Sequence, residues 1–179
     1  YFKLNMKKME LQFLDCTLRD GGYYNNWDFD NEFVKNYFEN ISNLPFDYVE
    51  IGYQNNKNES YKGKYFYCKE YLTKKIKQQY AIKIAVMLDA KLFNKESISN
   101  FTVDSNVDLY RIACNPDKIE DSFKLIETIK NQNKKVALNF MYANYWMNNE
   151  KIINQIVNIS SKVDYIYVVD SYGSLLPND

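Results

Sequence analysis

Residues able to bind a metal and an anion stand close together near the start of the chain. They fall in the run Asp15-Cys16-Thr17-Leu18-Arg19-Asp20-Gly21-Gly22. A carboxylate such as that of Asp20, in oxygen-rich surroundings, suits a hard divalent cation, Mg²⁺ or Mn²⁺. Such a metal polarises a carbonyl group, and an arginine beside it can stabilise a developing enolate oxygen. Arg19 and Asp20 therefore predict formation or cleavage of a carbon–carbon bond next to a carbonyl.

Charged, amide and hydroxyl side chains recur further along the chain, within or at the ends of runs that are otherwise apolar. Charged groups in such runs are destabilising unless they are paired or bind a ligand. We interpret Glu50 and Arg111, together with Arg19 and Asp20, as a polar site of balanced charge. The alternative is a set of structural salt bridges without a catalytic role. The residues concerned are Glu50, Arg111, Asn139 and Ser171.

Six short runs of β-branched and aromatic residues must position these side chains. The runs begin roughly every 25–37 residues, which is the period of a βα unit. Continuous apolar strands alternating with helices indicate a parallel sheet with helices outside, either a TIM (β/α)8 barrel or a doubly wound sheet. No GxGxxG follows any strand, which weakens the dinucleotide-binding version of the second arrangement. The predicted strands are Leu11–Cys16, Tyr48–Ile51, Ile82–Leu88, Leu109–Ala113, Val136–Met141 and Tyr165–Val169.

Segments between these strands have the apolar periodicity of amphipathic helices. Asp30 or Asn31 can cap the first, and Asp117 can cap another. A third ends near Ser160. The apolar positions of the first helix are Phe33, Tyr37, Phe38 and Ile41. Those of the second are Ile119, Phe123, Ile126 and Ile129, and those of the third are Ile152, Ile153, Ile156 and Val157.

The length of the chain bounds the architecture. In a parallel barrel the carboxyl ends of all strands lie on one face, where the active site sits, and eight units need about 250 residues. We expect residues 11–179 to form an incomplete (β/α)8 barrel of six units, and residues 1–10 to be a cloning remnant or an N-terminal extension. The chain would then be truncated, or else a short protein whose edges are covered by a partner or by self-association. In either case we expect this piece alone to be inactive.

Composition excludes several classes of function. Basic and acidic side chains number 23 each, which argues against a nucleic-acid binder. No apolar run approaches the roughly 18 residues that span a bilayer. Three cysteines without a CxxC motif indicate reduced thiols in a cytoplasmic protein. Because the chain has no histidine, its residues cannot form a Ser-His-Asp triad, a Cys-His dyad or an imidazole-dependent zinc site.

The run Leu14–Gly22 resembles the opening motif of the DRE-TIM metallolyases, also called the HMGL-like family. That family includes 3-hydroxy-3-methylglutaryl-CoA lyase, isopropylmalate and homocitrate synthases, 4-hydroxy-2-oxovalerate aldolase and pyruvate carboxyltransferase domains. The resemblance extends from Leu11 to the end of the chain. Gly21-Gly22-Tyr23 and Trp27 look most like the "aldolase catalytic domain" branch. Its later motifs are Val49-Glu50-Ile51-Gly52-Tyr53, Leu109-Tyr110-Arg111-Ile112-Ala113 and Val168-Val169-Asp170-Ser171-Tyr172-Gly173.

The resemblance implies a role for each candidate residue. Arg19 would stabilise the enolate, Asp20 would bind the metal, and Glu50 would lie near the substrate or the arginine. Tyr23 stands where the aldolase branch has a histidine base, so the proton acceptor remains open. The family completes its metal site with a His-x-His pair on the seventh strand, so we expect the remaining ligands beyond Asp179. The substrate would be bound by Ser171 and, on weaker grounds, by Arg111 and Asn139.

The function predicted from the resemblance is that of a divalent-metal-dependent carbon–carbon lyase of the aldolase type. Its substrate would be a 2-oxo acid, handled through a pyruvate enolate or made from pyruvate and an aldehyde, with Mn²⁺ or Mg²⁺ as cofactor. Two alternatives stay open. One is a Claisen-type acyl-CoA synthase of the same superfamily, and the other is a non-catalytic fragment that acts as a binding or assembly subunit. We expect no nucleic-acid or membrane partner, and self-association is left open.

Overall fold

The structure, a computed structural model, describes residues 11–55, 60–93 and 95–178. The predicted extension over residues 1–10 therefore lies outside the described residues. Six strands form one parallel sheet, and each strand pairs with the next along the chain. A doubly wound sheet reverses its strand order at a switch point, so this sequential order excludes it. The strands are β1 Leu14–Asp15, β2 Tyr48–Tyr53, β3 Ile84–Asp89, β4 Leu109–Cys114, β5 Lys135–Phe140 and β6 Tyr165–Val168.

Helical segments occupy every connection between consecutive strands, as the alternating pattern predicts. Two of these segments are 3₁₀ helices, Ala90–Leu92 and Pro116–Ser122. None of the helices in the described residues has the length and apolar character needed to cross a bilayer. The α-helices are α1 Thr17–Asn25, α2 Asn31–Ile41, α3 Lys64–Tyr67, α4 Glu70–Gln79, α5 Lys95–Ser99, α6 Phe123–Lys130, α7 Ala143–Trp146 and α8 Glu150–Ser160.

The sheet curls so strongly that side chains from its second and last strands meet. The rings of Tyr48 on β2 and Tyr165 on β6 lie 6.3 Å apart between centroids. The ammonium of Lys135 donates to both hydroxyls, at 3.1 and 3.3 Å. Four strand spacings in a flat sheet would separate β2 from β6 by about 19 Å. The α/β class is therefore confirmed, and the curled sheet is consistent with a partial TIM-like barrel.

Helices cover the outer face of the curled sheet. The outward side chains of the central strands are almost completely buried, among them Val86, Ile112 and Leu138. Phe38 of α2 and Leu125 of α6 belong to the same buried cluster. Burying one large aliphatic or aromatic side chain contributes about 1.5–3 kcal/mol. Because this outer core holds the strands in place, the side chains on the inner face can be polar and can form a site.

Helix α2 begins as its sequence predicts. The Asp30 carboxylate accepts hydrogen bonds from the backbone N–H groups of Glu32 and Phe33, which caps the helix. Phe38 and Ile41 are buried as expected, whereas Phe33 is about half exposed. Phe33 stacks instead on Phe29, in the segment before the helix.

Two predicted elements differ from the structure. The first strand contains only Leu14–Asp15. It ends there because the Asp15 carboxylate accepts the N–H of Thr17 and turns the chain into α1. Asp117 does not cap a helix. Asn115 does so, and its side chain accepts the Asp117 N–H at the start of a 3₁₀ helix. Pro116 suits the first helical position because it has no N–H to satisfy.

Candidate active site at the carboxyl ends of the strands

A buried ion pair lies at the centre of the inner face. Glu50 on β2 is fully buried, and the Arg111 side chain on β4 is 5% exposed. Arg111 Nη1 donates to Glu50 Oε2 at 2.6 Å, and its Nη2 donates to Asn139 Oδ1 at 2.7 Å. The guanidinium also stands 4.3 Å above the ring of Tyr167 on β6. Arg111 thus connects β2, β5 and β6 across the interior of the sheet.

Arg19 reaches the same carboxylate from the first turn of α1. Its Nε donates to Glu50 Oε2 at 2.8 Å, and its Nη1 lies 2.5 Å from Asp20 Oδ1. Burial by itself would lower the pKa of the Arg19 guanidinium, but the charge and hydrogen bond of Glu50 outweigh it, and the pKa is raised. Arg19 is therefore a permanent cation. Its side chain is 15% exposed, whereas that of Asp20 is 59% exposed.

The turn that carries Arg19 is held by contacts on both of its sides. Asp15 accepts the N–H and the hydroxyl of Thr17, each at 3.0 Å. On the other side, Trp27 Nε1 donates to the carbonyl of Arg19 at 3.0 Å. The Trp27 ring packs so closely on Gly22 that a Cβ there would lie 2.0 Å from its Cδ1. The glycine of the motif is therefore required for the position of Arg19.

Cys16 joins this cluster, although we gave it no role from its sequence. Its Sγ lies 3.6 Å from Arg111 Nη1. Burial, reinforced by the charge of Glu50, raises the pKa of the Cys16 thiol to about 11, against the opposing charges of Arg111 and Arg19. The thiol is neutral at physiological pH, which makes it a poor nucleophile.

A second polar pair, formed by Tyr23 of α1 and Tyr53 of β2, lies at the same end of the sheet. The two hydroxyl oxygens are 2.6 Å apart. Strict alternation would put Glu50 and Tyr53 on opposite faces of β2. The register between β2 and β3 shifts between these two residues, which marks a β-bulge. Gly52 lies in the bulge and lets the backbone of α3 approach β2 closely, since a Cβ there would lie 2.0 Å from the Tyr65 carbonyl oxygen.

A cavity of about 310 Å³ opens beside the tyrosine pair, and we call it the mouth cavity. It is bounded by residues at or just beyond the carboxyl ends of β2, β3, β4 and β5, where active sites of parallel barrels lie. Lys91 Nζ and Asp89 Oδ2 form an ion pair of 3.2 Å on its wall. Its lining is Tyr23, Tyr53, Asp89, Ala90, Lys91, Ala113, Asn115, Met141 and Tyr142.

The predicted site residues fall into three places. Arg19, Glu50, Arg111 and Asn139 form one hydrogen-bonded cluster, with Asp20 attached through Arg19. Tyr23 lines the mouth cavity. Ser171 is exposed, and its Oγ accepts the N–H of Tyr142 at 2.9 Å. Arg111 donates to both Glu50 and Asn139, so the structure gives Arg111 and Asn139 a supporting position, and their contact with a substrate stays a prediction.

The described residues supply one candidate metal ligand, Asp20. Among residues 11–55, 60–93 and 95–178, no three acidic, thiol or imidazole side chains are grouped so that they could hold a metal. The Asp20 carboxylate is paired with Arg19. Mg²⁺ requires octahedral coordination, usually from one or two carboxylates with water and substrate oxygens. Asp20 alone therefore does not make a metal centre.

Sequence reasoning missed two aromatic residues of the site. Tyr167 supports Arg111. It lies two residues after Tyr165 on β6, so strand alternation predicts that these two tyrosines share one face. Tyr53 follows Glu50 at an odd spacing, so alternation points it away from the site. The available signal was Gly52, since a glycine inside a strand often marks a bulge.

The chain is similar to a solved structure of related sequence. No family model matches the chain, and neither does any curated protein. A similar solved structure is described as the N-terminal domain of a putative aldolase from Bacteroides vulgatus, with a TM-score of 0.88 and 35% sequence identity. The match covers 94% of this chain and 57% of that chain. The chain thus spans little more than half the length of this neighbour.

Proposed function

We propose that the chain is the enolate-binding part of a carbon–carbon lyase of the aldolase type, which acts on a 2-oxo acid. The observation that carries the proposal is the position of Arg19. Its guanidinium is anchored by the buried Glu50 and is still partly exposed at the carboxyl end of the sheet. The similarity to the N-terminal domain of a putative aldolase supports the same reaction class.

Arg19 has the chemistry that this reaction needs. When a 4-hydroxy-2-oxo acid is cleaved, the C4 hydroxyl loses its proton to a base and the C3–C4 bond breaks. The bonding pair moves to the pyruvate unit, where the negative charge rests on the C2 oxygen, and the aldehyde departs. The enolate then takes up a proton at C3 and becomes pyruvate. A fixed N–H donor aimed at such an oxyanion contributes about 10²–10³ in rate.

Asp20 is proposed to be one ligand of Mn²⁺ or Mg²⁺, with the other ligands outside the described residues. When bound, such a metal would polarise the carbonyl of the substrate. Within the chain itself, Glu50 fixes the direction of Arg19, and Arg111 fixes Glu50. The charges of the two arginines are matched by those of Glu50 and Asp20 before any substrate binds.

The test uses the full-length protein with Mn²⁺ and 4-hydroxy-2-oxopentanoate. Pyruvate release is followed by NADH oxidation in the presence of lactate dehydrogenase. We expect Arg19→Ala to reduce kcat/KM by about 100-fold or more, while its circular dichroism spectrum is retained. Lys35→Ala, on the exposed surface of α2, serves as the matched loss of a cation and should leave turnover unchanged. Unchanged turnover in Arg19→Ala would exclude the proposal.

A further inference from the structure

The wall of the mouth cavity is formed by polar and apolar groups in about equal measure. Its volume of about 310 Å³ suits a small molecule. Tyr23, Tyr142 and Met141 line the cavity together with Tyr53, whose hydroxyl lies close enough to Arg19 to be affected by its charge. The cavity therefore lies beside the proposed enolate site, where the second reactant of an aldol reaction has to be.

The Tyr53 hydroxyl is placed to direct the hydroxyl of Tyr23. Tyr53 is almost fully buried, and its oxygen bonds to that of Tyr23 at 2.6 Å. Burial and this hydrogen bond raise the pKa of Tyr53, and the nearby positive charge of Arg19 opposes the rise. A cation attracts the lone pairs of the Tyr53 oxygen and repels its hydrogen. Either hydroxyl can donate in this pair. When Tyr53 donates, which is the arrangement that the charge of Arg19 favours, the hydrogen of Tyr23 is available to a ligand.

The polar groups on the wall favour an uncharged ligand that makes hydrogen bonds. Lys91 and Asp89 neutralise each other at 3.2 Å, so the wall carries no net charge to attract an anion. The Oδ1 atom of Asn115 accepts the N–H of Asp117, which leaves its amide nitrogen as a donor. A hydroxyl group is the substituent that matches a free amide donor and a neutral ion pair.

We propose that the mouth cavity binds the aldehyde of the reaction, specifically a short hydroxylated aldehyde, with Tyr53 as the residue that positions Tyr23. This proposal rests on the proposed function for the identity of the enolate. The Tyr23 hydroxyl donates to the carbonyl oxygen of the aldehyde, and Asn115 receives its hydroxyl group. Tyr53 itself does not touch the ligand's reacting atoms.

Addition joins the pyruvate enolate to the aldehyde. The enolate carbon forms a bond to the aldehyde carbon, and the π pair of the carbonyl moves to the aldehyde oxygen. That oxygen takes the proton of Tyr23. The phenolate recovers a proton from water at the exposed edge of the cavity, since Tyr23 is 64% exposed. This uptake balances the proton that pyruvate releases when it forms the enolate.

The first experiment separates the two half-reactions in the full-length protein with Mn²⁺. Exchange of the pyruvate methyl protons in D₂O, followed by NMR, reports formation of the enolate. Addition to D-glyceraldehyde reports use of the mouth cavity. We expect Tyr53→Phe to leave the exchange rate within a factor of two and to slow addition about tenfold, the loss of one hydrogen bond to a reacting group. Tyr24→Phe, on the exposed side of α1, should change neither rate.

The second experiment tests the class of aldehyde. Wild type should prefer D-glyceraldehyde to propanal, which has the same number of carbons and no hydroxyl. Asn115→Ala should abolish that preference. Asn149→Ala removes a comparable helix cap outside the cavity, so it should retain the preference. The affinity for D-glyceraldehyde itself is measured by saturation-transfer NMR, which does not require turnover.

The outcomes distinguish the two proposals. If wild type does not exchange the pyruvate protons, the proposed function fails, and the cavity is then judged by binding alone. D-glyceraldehyde binding that is weakened by Asn115→Ala and not by Asn149→Ala supports the subsite. Absence of binding to wild type, or equal binding by both variants, overturns it. If Tyr53→Phe slows exchange and addition equally, or slows neither, its positioning role is wrong.

Discussion

Arg19 and Arg111 meet on a single atom, Oε2 of Glu50, at distances of 2.8 and 2.6 Å. The other carboxylate oxygen, Oε1, is buried and has no hydrogen-bond partner within the described residues. This one buried carboxylate therefore bridges two guanidinium groups, and Asp20 supplies a second negative charge beside Arg19. Arg111 is held inside the sheet, and Arg19 extends from the same anchor toward the mouth of the sheet. The direction of the proposed catalytic arginine thus depends on a residue that belongs to the core.

Replacing Glu50 by Gln should destabilise the protein strongly. The change leaves two positive charges without their buried partner, and the loss of one member of a buried ion pair typically reduces the free energy of unfolding by about 3–5 kcal/mol. The matched control is Glu39→Gln, which breaks the exposed pair with Lys35 and should reduce it by about 0–1 kcal/mol. Urea denaturation measures both. Equal stability of the two variants would contradict the central role of Glu50.

The Cys16 thiol should react slowly with alkylating reagents. With a pKa of about 11 it carries about a hundredfold less thiolate at pH 8 than a thiol whose pKa is 9.0. We expect its rate of modification by iodoacetamide, measured by peptide mass spectrometry, to keep rising with pH up to about 11. N-acetylcysteine in the same tube provides the reference. A rate at Cys16 that levels off at or below the pH at which the reference does would show that the thiol is not buried against Glu50.

Asp164 should make the protein sensitive to acid. Burial by itself would raise the pKa of its carboxyl, but hydrogen bonds from Lys130 and from the Val136 N–H, at 2.8 Å each, outweigh burial and lower the pKa below 3.8. A carboxyl with a lowered pKa stabilises the folded state above its unfolded pKa, and this contribution is lost as the pH falls through the folded value.

We therefore expect Asp164→Asn to be less stable than wild type at pH 7 and to approach it below pH 3. Urea denaturation across this range gives the comparison. Asp117→Asn, which changes an exposed carboxylate outside this pair, is the control. A constant difference between Asp164→Asn and wild type at all pH values would contradict the assignment.

Much of the fold could be predicted because it depends on short patterns that can be recognised in the amino-acid sequence alone. The apolar runs at β2 to β6 identify parallel strands, and the cap at Asp30 identifies the start of α2. Grouping Arg19 with Glu50 and Arg111 also followed from a general rule, since the carboxyl ends of parallel strands share one face. That inference required no knowledge of which atoms meet.

The rest could not be predicted because it depends on departures from regular strand alternation and on contacts between distant parts of the chain. Strict alternation would place Tyr53 on the opposite face of β2 from Glu50. The bulge at Gly52 breaks this alternation, and Tyr53 lies beside the site. The early end of β1 follows from the hydrogen bond between Asp15 and Thr17, which competes with strand pairing. The contact of Cys16 with Arg111 depends on how far the sheet curls, a property of all six strands together.

Replacing Gly52 by Ala should destabilise the protein. A Cβ at this position would lie 2.0 Å from the carbonyl oxygen of Tyr65 and 2.9 Å from its carbonyl carbon, so the backbone of β2 or α3 has to move. Strain of this kind is among the mechanisms that give large losses of stability, and we expect a loss of about 2 kcal/mol or more. The movement should also separate Tyr53 from Tyr23, so addition to an aldehyde should fall.

Gly21→Ala is the matched control, because this substitution is expected to raise the free energy of unfolding and not to lower it. A Cβ at Gly21 meets only the Phe29 ring at 3.7 Å, which is ordinary contact, and the residue lies within α1. Glycine inside a helix is less stable than alanine by about 0.5–1 kcal/mol, so this variant should gain stability. Urea denaturation of both variants measures the difference. If Gly52→Ala were as stable as Gly21→Ala, the close approach of the Tyr65 carbonyl to β2 would not require glycine at position 52.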